Sequence, residues 1–195
     1  MPRQIDLFAQ DDPQRPALPP VAGLQLVPEV ISVAEEDHLC AQIDAAPLEP
    51  FRFGQWTGKR LTAYYGSAYD FQRGRTAPAP PLPDWLLRLR EKLAPQFGLE
   101  ADALQQALLI RYDPGAGIGW HRDRPQYEKV LGLSLGAPAE LRLRQRRGDG
   151  TFARHRVPLP PRGAYLLTAE VRDDWEHSIA PIEATRRSIT FRTFR

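Results

Sequence analysis

Four histidines occur in this 195-residue chain: His38, His121, His155 and His177. Two of them sit in settings that suggest chemistry. His121-Arg122-Asp123 follows the strand-like Ile118-Gly119-Trp120, and residues i and i+2 of a strand point to one face. His121 and Asp123 are therefore placed to share a metal. His177, in Asp174-Trp175-Glu176-His177-Ser178, lies far along the chain, where a returning strand would bring it beside them. Two histidines and one carboxylate leave open coordination positions, the signature of non-haem Fe(II) oxygenases.

A second constellation closes the sequence. Arg186 and Arg192 are six residues apart in Arg186-Arg187-Ser188-Ile189-Thr190-Phe191-Arg192, so a strand turns both toward one face. Buried guanidinium groups demand anions, and guanidinium binds carboxylate in a bidentate fork. Two inward arginines thus suit a dicarboxylate such as 2-oxoglutarate. Arg187, one residue out of phase, is expected at the surface.

The elements that must position these residues are legible in outline. Ser32 with Glu35 forms a capping box that opens a helix to about Ala46, with Leu39, Cys40 and Ile43 inward. Four prolines in Ala77–Pro83 exclude a helix there. Asp84 is expected to cap a second helix carrying Leu86, Leu89, Leu93 and Phe97 at helical spacing. From Leu104 the pattern becomes seven or eight short apolar or alternating runs, broken by Gly, Pro and Asp. Leu141-Arg142-Leu143-Arg144 alternates with period two, and Arg146-Arg147-Gly148-Asp149-Gly150 is a turn, so a hairpin is expected here. Short strands ending a chain after two helices predict a mostly β (α+β) fold: a jelly-roll core with the helices packed outside one sheet.

Tyr112-x-Pro114-Gly115-x5-His121-x-Asp123, then His177, then Arg186-x-Ser188-x-Thr190-Phe191-Arg192, resembles the AlkB family of Fe(II)- and 2-oxoglutarate-dependent dioxygenases. The resemblance covers about residues 50–195 and is tightest at 108–123 and 175–194. It implies a double-stranded β-helix over about 104–195 and a nucleotide-recognition flap over about 50–80, within one oxygenase domain of residues 21–195. It implies iron ligation by His121, Asp123 and His177. It implies 2-oxoglutarate binding by Tyr112, Arg186, Arg192 and Ser188, with O2 as the other cosubstrate. The implied activity is oxidative dealkylation of bases in DNA or RNA, as in direct-reversal DNA repair, with no protein acid or base needed. Substrate contacts are expected from Tyr65, Tyr69, Arg60 and Arg156. Two positions depart from the bacterial pattern: Ile110 stands where an Asn usually precedes the Arg-Tyr pair, and Pro125 stands where an acidic residue reads the base. The same chemistry on a protein or small molecule, and a β-fold nucleic-acid module without turnover, are the competing readings.

The remaining features set boundaries. Residues 1–20 carry five prolines and are expected to form a mobile arm. Within it Gln4-Ile5-Asp6-Leu7-Phe8 resembles the short peptide by which bacterial proteins bind the replication sliding clamp, with Gln4, Asp6, Leu7 and Phe8 as contacts. A single cysteine, Cys40, excludes an internal disulfide framework and fits a reducing, cytoplasmic setting. No apolar run is long enough to span a membrane or serve as a signal peptide. A monomer is expected. The net charge is +2, yet seven arginines crowd between Ala139 and Arg162 against Glu140 and Asp149, a local basic stripe.

Overall fold

The computed structural model describes residues 21–53, 56–70 and 75–195. The elements run β1 (Leu24–Val27), α1 (Val33–Ala45), β2 (Glu49–Phe53), β3 (Trp56–Tyr65), β4 (Ser67–Asp70), β5 (Arg75–Pro78) and α2 (Asp84–Leu93). Two short 3-10 turns, Ala94–Phe97 and Ala101–Ala103, lead into β6 (Gln106–Tyr112), β7 (Ile118–His121), β8 (Tyr127–Gly136), β9 (Ala139–Arg146) and β10 (Phe152–Leu159). Then come β11 (Ala164–Leu167), α3 (Ala169–Asp173), β12 (Glu176–Ile179) and β13 (Arg186–Phe194). Eight strands follow residue 104, as the alternating runs predicted.

These strands pair antiparallel in two main sheets. The larger has the order β1-β11-β8-β13-β6-β3-β2, the smaller β10-β9-β12-β7, and β4 with β5 forms a separate hairpin. Leu141, Leu143, Val157 and Leu159 of the small sheet pack on Val130, Tyr165 and Leu167 of the large one, which makes the pair a jelly roll. The other face of the large sheet is closed by helices. Leu39 and Ile43 of α1, and Leu86, Leu89 and Leu93 of α2, meet Leu109, Leu133, Leu135, Ile189 and Phe191.

Strand alternation therefore sorts the large sheet into a helix side and an inter-sheet side. On β13, Ile189 and Phe191 face the helices, while Arg186, Ser188, Thr190 and Arg192 face the small sheet. On β6, Leu109 faces the helices, while Leu108, Ile110 and Tyr112 face inward.

The capping box on α1 is complete: Glu35 N donates to Ser32 Oγ at 3.2 Å and Ser32 N to Glu35 Oε2 at 2.8 Å. At α2 the expectation shifts by one residue. Pro83 occupies the cap position without a side-chain hydrogen bond, and Asp84 is the first helical residue, where its charge favours the helix dipole. Cys40 is half-buried against the helix-side core. Arg187 is not a free surface residue: its Nε donates to Asp44 Oδ1 of α1 at 2.8 Å, because the alternation that turns Arg186 inward turns Arg187 toward the helices.

Candidate active site between the sheets

A cavity of about 1080 Å³ opens between the two sheets. His121, at the end of β7, lies directly across from His177 of β12 in the strand register. Their ring centroids are 4.2 Å apart. Asp123 sits two residues beyond the end of β7, in the loop that leads to β8, with Oδ2 3.5 Å from His177 Nε2. Among the described residues no three His, Cys, Asp and Glu side chains stand as a ready-made ligand shell. The approach is pairwise, and Asp123 Oδ1 is turned instead to Arg192, which donates from Nη2 at 2.9 Å and Nε at 3.1 Å.

The charge states of these three groups are nonetheless those a divalent cation requires. Burial, with His121 alongside, pushes the His177 imidazole down to about 3. Burial also lowers His121. Its Nδ1 lies 2.9 Å from the Gly119 carbonyl, which can only accept, so Nδ1 carries the hydrogen and Nε2 keeps its lone pair. Burial works to raise the Asp123 carboxyl, but Arg192 and the two histidines outweigh it and hold it well below the usual carboxylate range. Two neutral imidazoles and one carboxylate therefore converge on one wall.

Arg186, which lines the same cavity, is fully buried. Its Nε donates to Ser134 Oγ at 3.2 Å, and neither Nη1 nor Nη2 has a hydrogen-bond partner. A buried cation with both fork nitrogens unmet has the geometry to receive a carboxylate. Tyr112, whose ring centre is 5.2 Å from the Arg186 guanidinium carbon, and Ser188 line the same pocket. Ile110 sits there too, with no polar group to offer. Arg192 is differently placed: besides Asp123, its Nη1 donates to Gln106 Oε1 at 2.8 Å.

The substrate side sorts less simply. Arg60 lines the cavity with its guanidinium carbon 3.8 Å from the centre of the Phe51 ring. Tyr65 does not line it: it packs against the helix-side core, and by alternation its neighbour Tyr64 takes the cavity wall. Arg156 stands outside the cavity, on the exposed face of β10, with Nη1 3.4 Å from Glu140 Oε1. The backbone of Tyr69 lies in β4, but its side chain is outside the described residues, as are all of Gln4, Asp6, Leu7 and Phe8.

Four contributors escaped the sequence reading. Gln106 is a wholly buried polar residue that opens β6, while the adjacent Gln105 is exposed, and nothing in the sequence distinguishes the two. Arg172 of α3, 4% exposed, donates to the carbonyls of Arg124 and Tyr127 and so clamps the loop that carries Asp123. Tyr165 fills the space over Gly132, where a Cβ would stand 2.2 Å from its Cζ. Tyr64 and Tyr65 differ only in strand phase, which pairing with β6 fixes and spacing within the segment does not.

Comparison with known proteins adds three findings. A family model described as the 2OG-Fe(II) oxygenase superfamily matches residues 23–192. The alkylated DNA repair protein ALKBH8 homolog of Arabidopsis thaliana is 30% identical over 186 residues, covering 82% of this chain and 51% of that protein. The probable RNA/DNA demethylase ALKBH6 of Danio rerio is 35% identical over 105 residues, covering 54% and 42%. The chain thus spans about half the length of these curated relatives. Among solved structures, that of OsALKBH1 superimposes with a TM-score of 0.66 at 14% identity, covering 88% of this chain and 96% of that one. A Pseudomonas putida prolyl-4-hydroxylase gives 0.63 at 16% identity, covering 89% and 93%. Both share the fold described above.

Proposed function

Because this chain belongs to the 2OG-Fe(II) oxygenase superfamily, we propose that it oxidises an alkyl carbon attached to a nitrogen of a nucleic-acid base, so that the hydroxylated carbon leaves as an aldehyde and the clean base remains. One observation carries the cosubstrate part of this reading: the unmet fork of buried Arg186, in the same cavity as two neutral histidines and a carboxylate. His121, Asp123 and His177 would hold Fe(II), and Arg186, Tyr112 and Ser188 would hold 2-oxoglutarate. Bound there, the iron and its cosubstrates supply the oxidation, 2-oxoglutarate leaving as succinate and CO2.

The chain's own residues have narrower tasks. Arg186 presents two donors to a carboxylate in a bidentate fork. Arg192 keeps Asp123 charged and oriented, and Arg172 fixes the loop on which Asp123 rides. Leu108, Ile110, Leu167 and Ile179 line the cavity and keep water from the reacting carbon. No side chain is needed to carry a proton.

The nucleic-acid part rests on the relatives whose names speak of alkylated DNA and of RNA/DNA demethylation, and on the wall of Phe51, Arg60 and Tyr64. Aromatic faces beside a desolvated guanidinium suit a flat base taken out of its stack. Repair of DNA, with delivery to the sliding clamp through Gln4–Phe8, extends the same proposal. Deleting residues 1–9 is expected to abolish clamp pull-down without slowing 2-oxoglutarate turnover.

The deciding experiment supplies Fe(II), 2-oxoglutarate and ascorbate with DNA and RNA oligonucleotides bearing N1-methyladenine, N3-methylcytosine or etheno-adenine, read by mass spectrometry beside the His121→Ala variant. Loss of alkyl mass with the parent chain and not with the variant is the expected result. Succinate formed with every base unchanged would keep the oxygenase and move its substrate to a protein or small molecule.

A further inference from the structure

Among the described residues the long helices pack on the large sheet, and the outward face of the small sheet carries a block of arginines. In the strand register Arg154 of β10 stands opposite Arg144 of β9, which stands opposite Glu176 of β12. Arg156 likewise stands opposite Arg142, and Arg142 opposite Ser178. Directly opposed residues share a face, so the arginines form a block and not a scatter. Over β9, β10 and β12 with the connecting turn, six arginines stand against Glu140, Asp149 and Glu176, and Arg146, Arg147, Arg154 and Arg156 are exposed.

Aromatic rings are interleaved with these cations. The guanidinium carbon of Arg144 lies 4.5 Å from the Trp120 ring centre and 4.8 Å from that of Phe152. That of Arg154 lies 5.1 Å from Phe152, and that of Arg142 lies 5.2 Å from Trp120. The acids on this face are already engaged: Glu176 accepts from Arg144 Nε at 2.7 Å, Glu140 lies 3.4 Å from Arg156, and Asp149 caps Thr151 within the turn. Each of these arginines still has guanidinium nitrogens to offer a second anion.

The track has a direction. Phe152 and Arg154 lie on the edge strand β10 and Trp120 on the opposite edge strand β7, with the Arg144 guanidinium of β9 between the two rings. Trp120 also lines the cavity and is the residue before His121. The outer face and the cavity mouth are therefore continuous through one side chain.

We infer that this face binds a single strand of nucleic acid, the stretch flanking the base held in the cavity. Guanidinium edges take phosphates while ring faces offer stacking to bases, a combination that tolerates any sequence. This inference rests on the nucleic-acid reading above but concerns a different surface.

The test measures binding of the full chain to a fluorescently labelled, unmodified single-stranded oligonucleotide by anisotropy over a range of salt concentrations. The variants are Arg146→Ser/Arg154→Ser and, separately, Phe152→Leu, with thermal melts to confirm folding. The double variant is expected to bind about tenfold more weakly, with the slope of log affinity against log salt shallower by roughly 1.4 for two lost contacts. Phe152→Leu should weaken binding several-fold while leaving the slope unchanged, because a stacking face and not a charge is lost. These shifts in a protein that alters none of the damaged bases would uphold the surface and remove the proposed reaction. Wild-type affinity and slope in the double variant of a protein that does clear alkylated bases would remove the surface and keep the reaction. With polyglutamate as a competing probe in the same assay, loss of its binding in the double variant while oligonucleotide binding stays intact would assign the face to an acidic protein and overturn the inference.

Discussion

The two ends of β13 carry the same side chain on the same face, six residues apart, and give it opposite circumstances. At one end Arg186 is fully buried and neither fork nitrogen has a partner. At the other, Arg192 is engaged by Asp123 on two nitrogens and by Gln106 on a third. Neither arginine could be buried without some compensation, since an isolated charge in a low-dielectric interior is costly. Arg192 finds it inside the fold, through a carboxylate that Arg192 in turn keeps ionised. Arg186 has only the Ser134 hydroxyl and the ring of Tyr112 beneath its guanidinium, which leaves its fork nitrogens for the carboxylate proposed above. The two arginines thus differ in what the fold itself gives them: Arg192 has protein partners on all three nitrogens, and Arg186 on Nε alone.

The contrast is open to attack by substitution. The largest effect is expected from Arg192→Met, which strands Asp123 as a buried, unpaired carboxylate. Breaking such a pair costs about 3–5 kcal/mol, a fall in Tm of roughly 6–20 °C for a chain this size. A scan of the metal-free variant that matches wild type would erase the distinction between the two ends. Arg186→Met should do the reverse. It removes a cation with no acidic partner, so the melting temperature should hold or rise, while the stabilisation that saturating 2-oxoglutarate gives the parent protein disappears. That stabilisation is about 2.7 kcal/mol at a hundredfold excess over Kd. Retained stabilisation by 2-oxoglutarate in this variant would assign the anion elsewhere.

Gly132→Ala probes the floor between the two arginines. The new methyl group would overlap Tyr165, which must swing within the cavity, at a cost of about 1–3 kcal/mol. A raised KM for 2-oxoglutarate is expected, and an unchanged KM would mean that Tyr165 yields away from the cosubstrate.

The smallest effect concerns Arg187, on the opposite face of the same strand. Its guanidinium, through hydrogen bonds, holds Asp44 below the ordinary carboxylate value of 3.8. A lowered folded-state value stabilises the protein above the ordinary value and loses that contribution as pH falls through the folded one. The pair is half-exposed and screened, so it contributes less than about 1 kcal/mol. Acid titration of Asp44→Asn should therefore show a slightly shallower loss of stability below about pH 4 than the parent chain.

What the sequence disclosed and what it withheld divide along physical lines. The capping box at Ser32 and Glu35, the turn at 146–150 and the inward phase of Arg186 and Arg192 are local: each depends on spacing within a few residues. That His121, Asp123 and His177 come close together was legible because strand alternation and a returning strand bring them to one place. Tyr65 was misplaced because adjacent tyrosines differ only in strand phase, and phase is set by pairing with β6, more than forty residues on. The partners of Arg192 lie 69 and 86 residues away, and those of Arg172 lie 48 and 45 residues away. No spacing rule reports such contacts. The outer arginine face fell between these cases: its composition was visible, but its interleaving with Trp120 appears only when β7 takes its place in the small sheet.

The place of β13 also bears on how the protein folds. It lies between β8 and β6, pairing along almost its whole length with strands that begin some sixty and eighty residues earlier. Closing such loops costs chain entropy before any pairing rewards it, so acquisition of the central pairings should be slow compared with formation of α1 or the β9–β10 hairpin. Register is the hazard on that route. A slip by one residue would bring Arg187 inward and drive Ile189 and Phe191 out of the helix-side core. The apolar residues that exclude this misalignment are thus the ones that decide, during folding, that the two inward arginines arrive together and on the correct side.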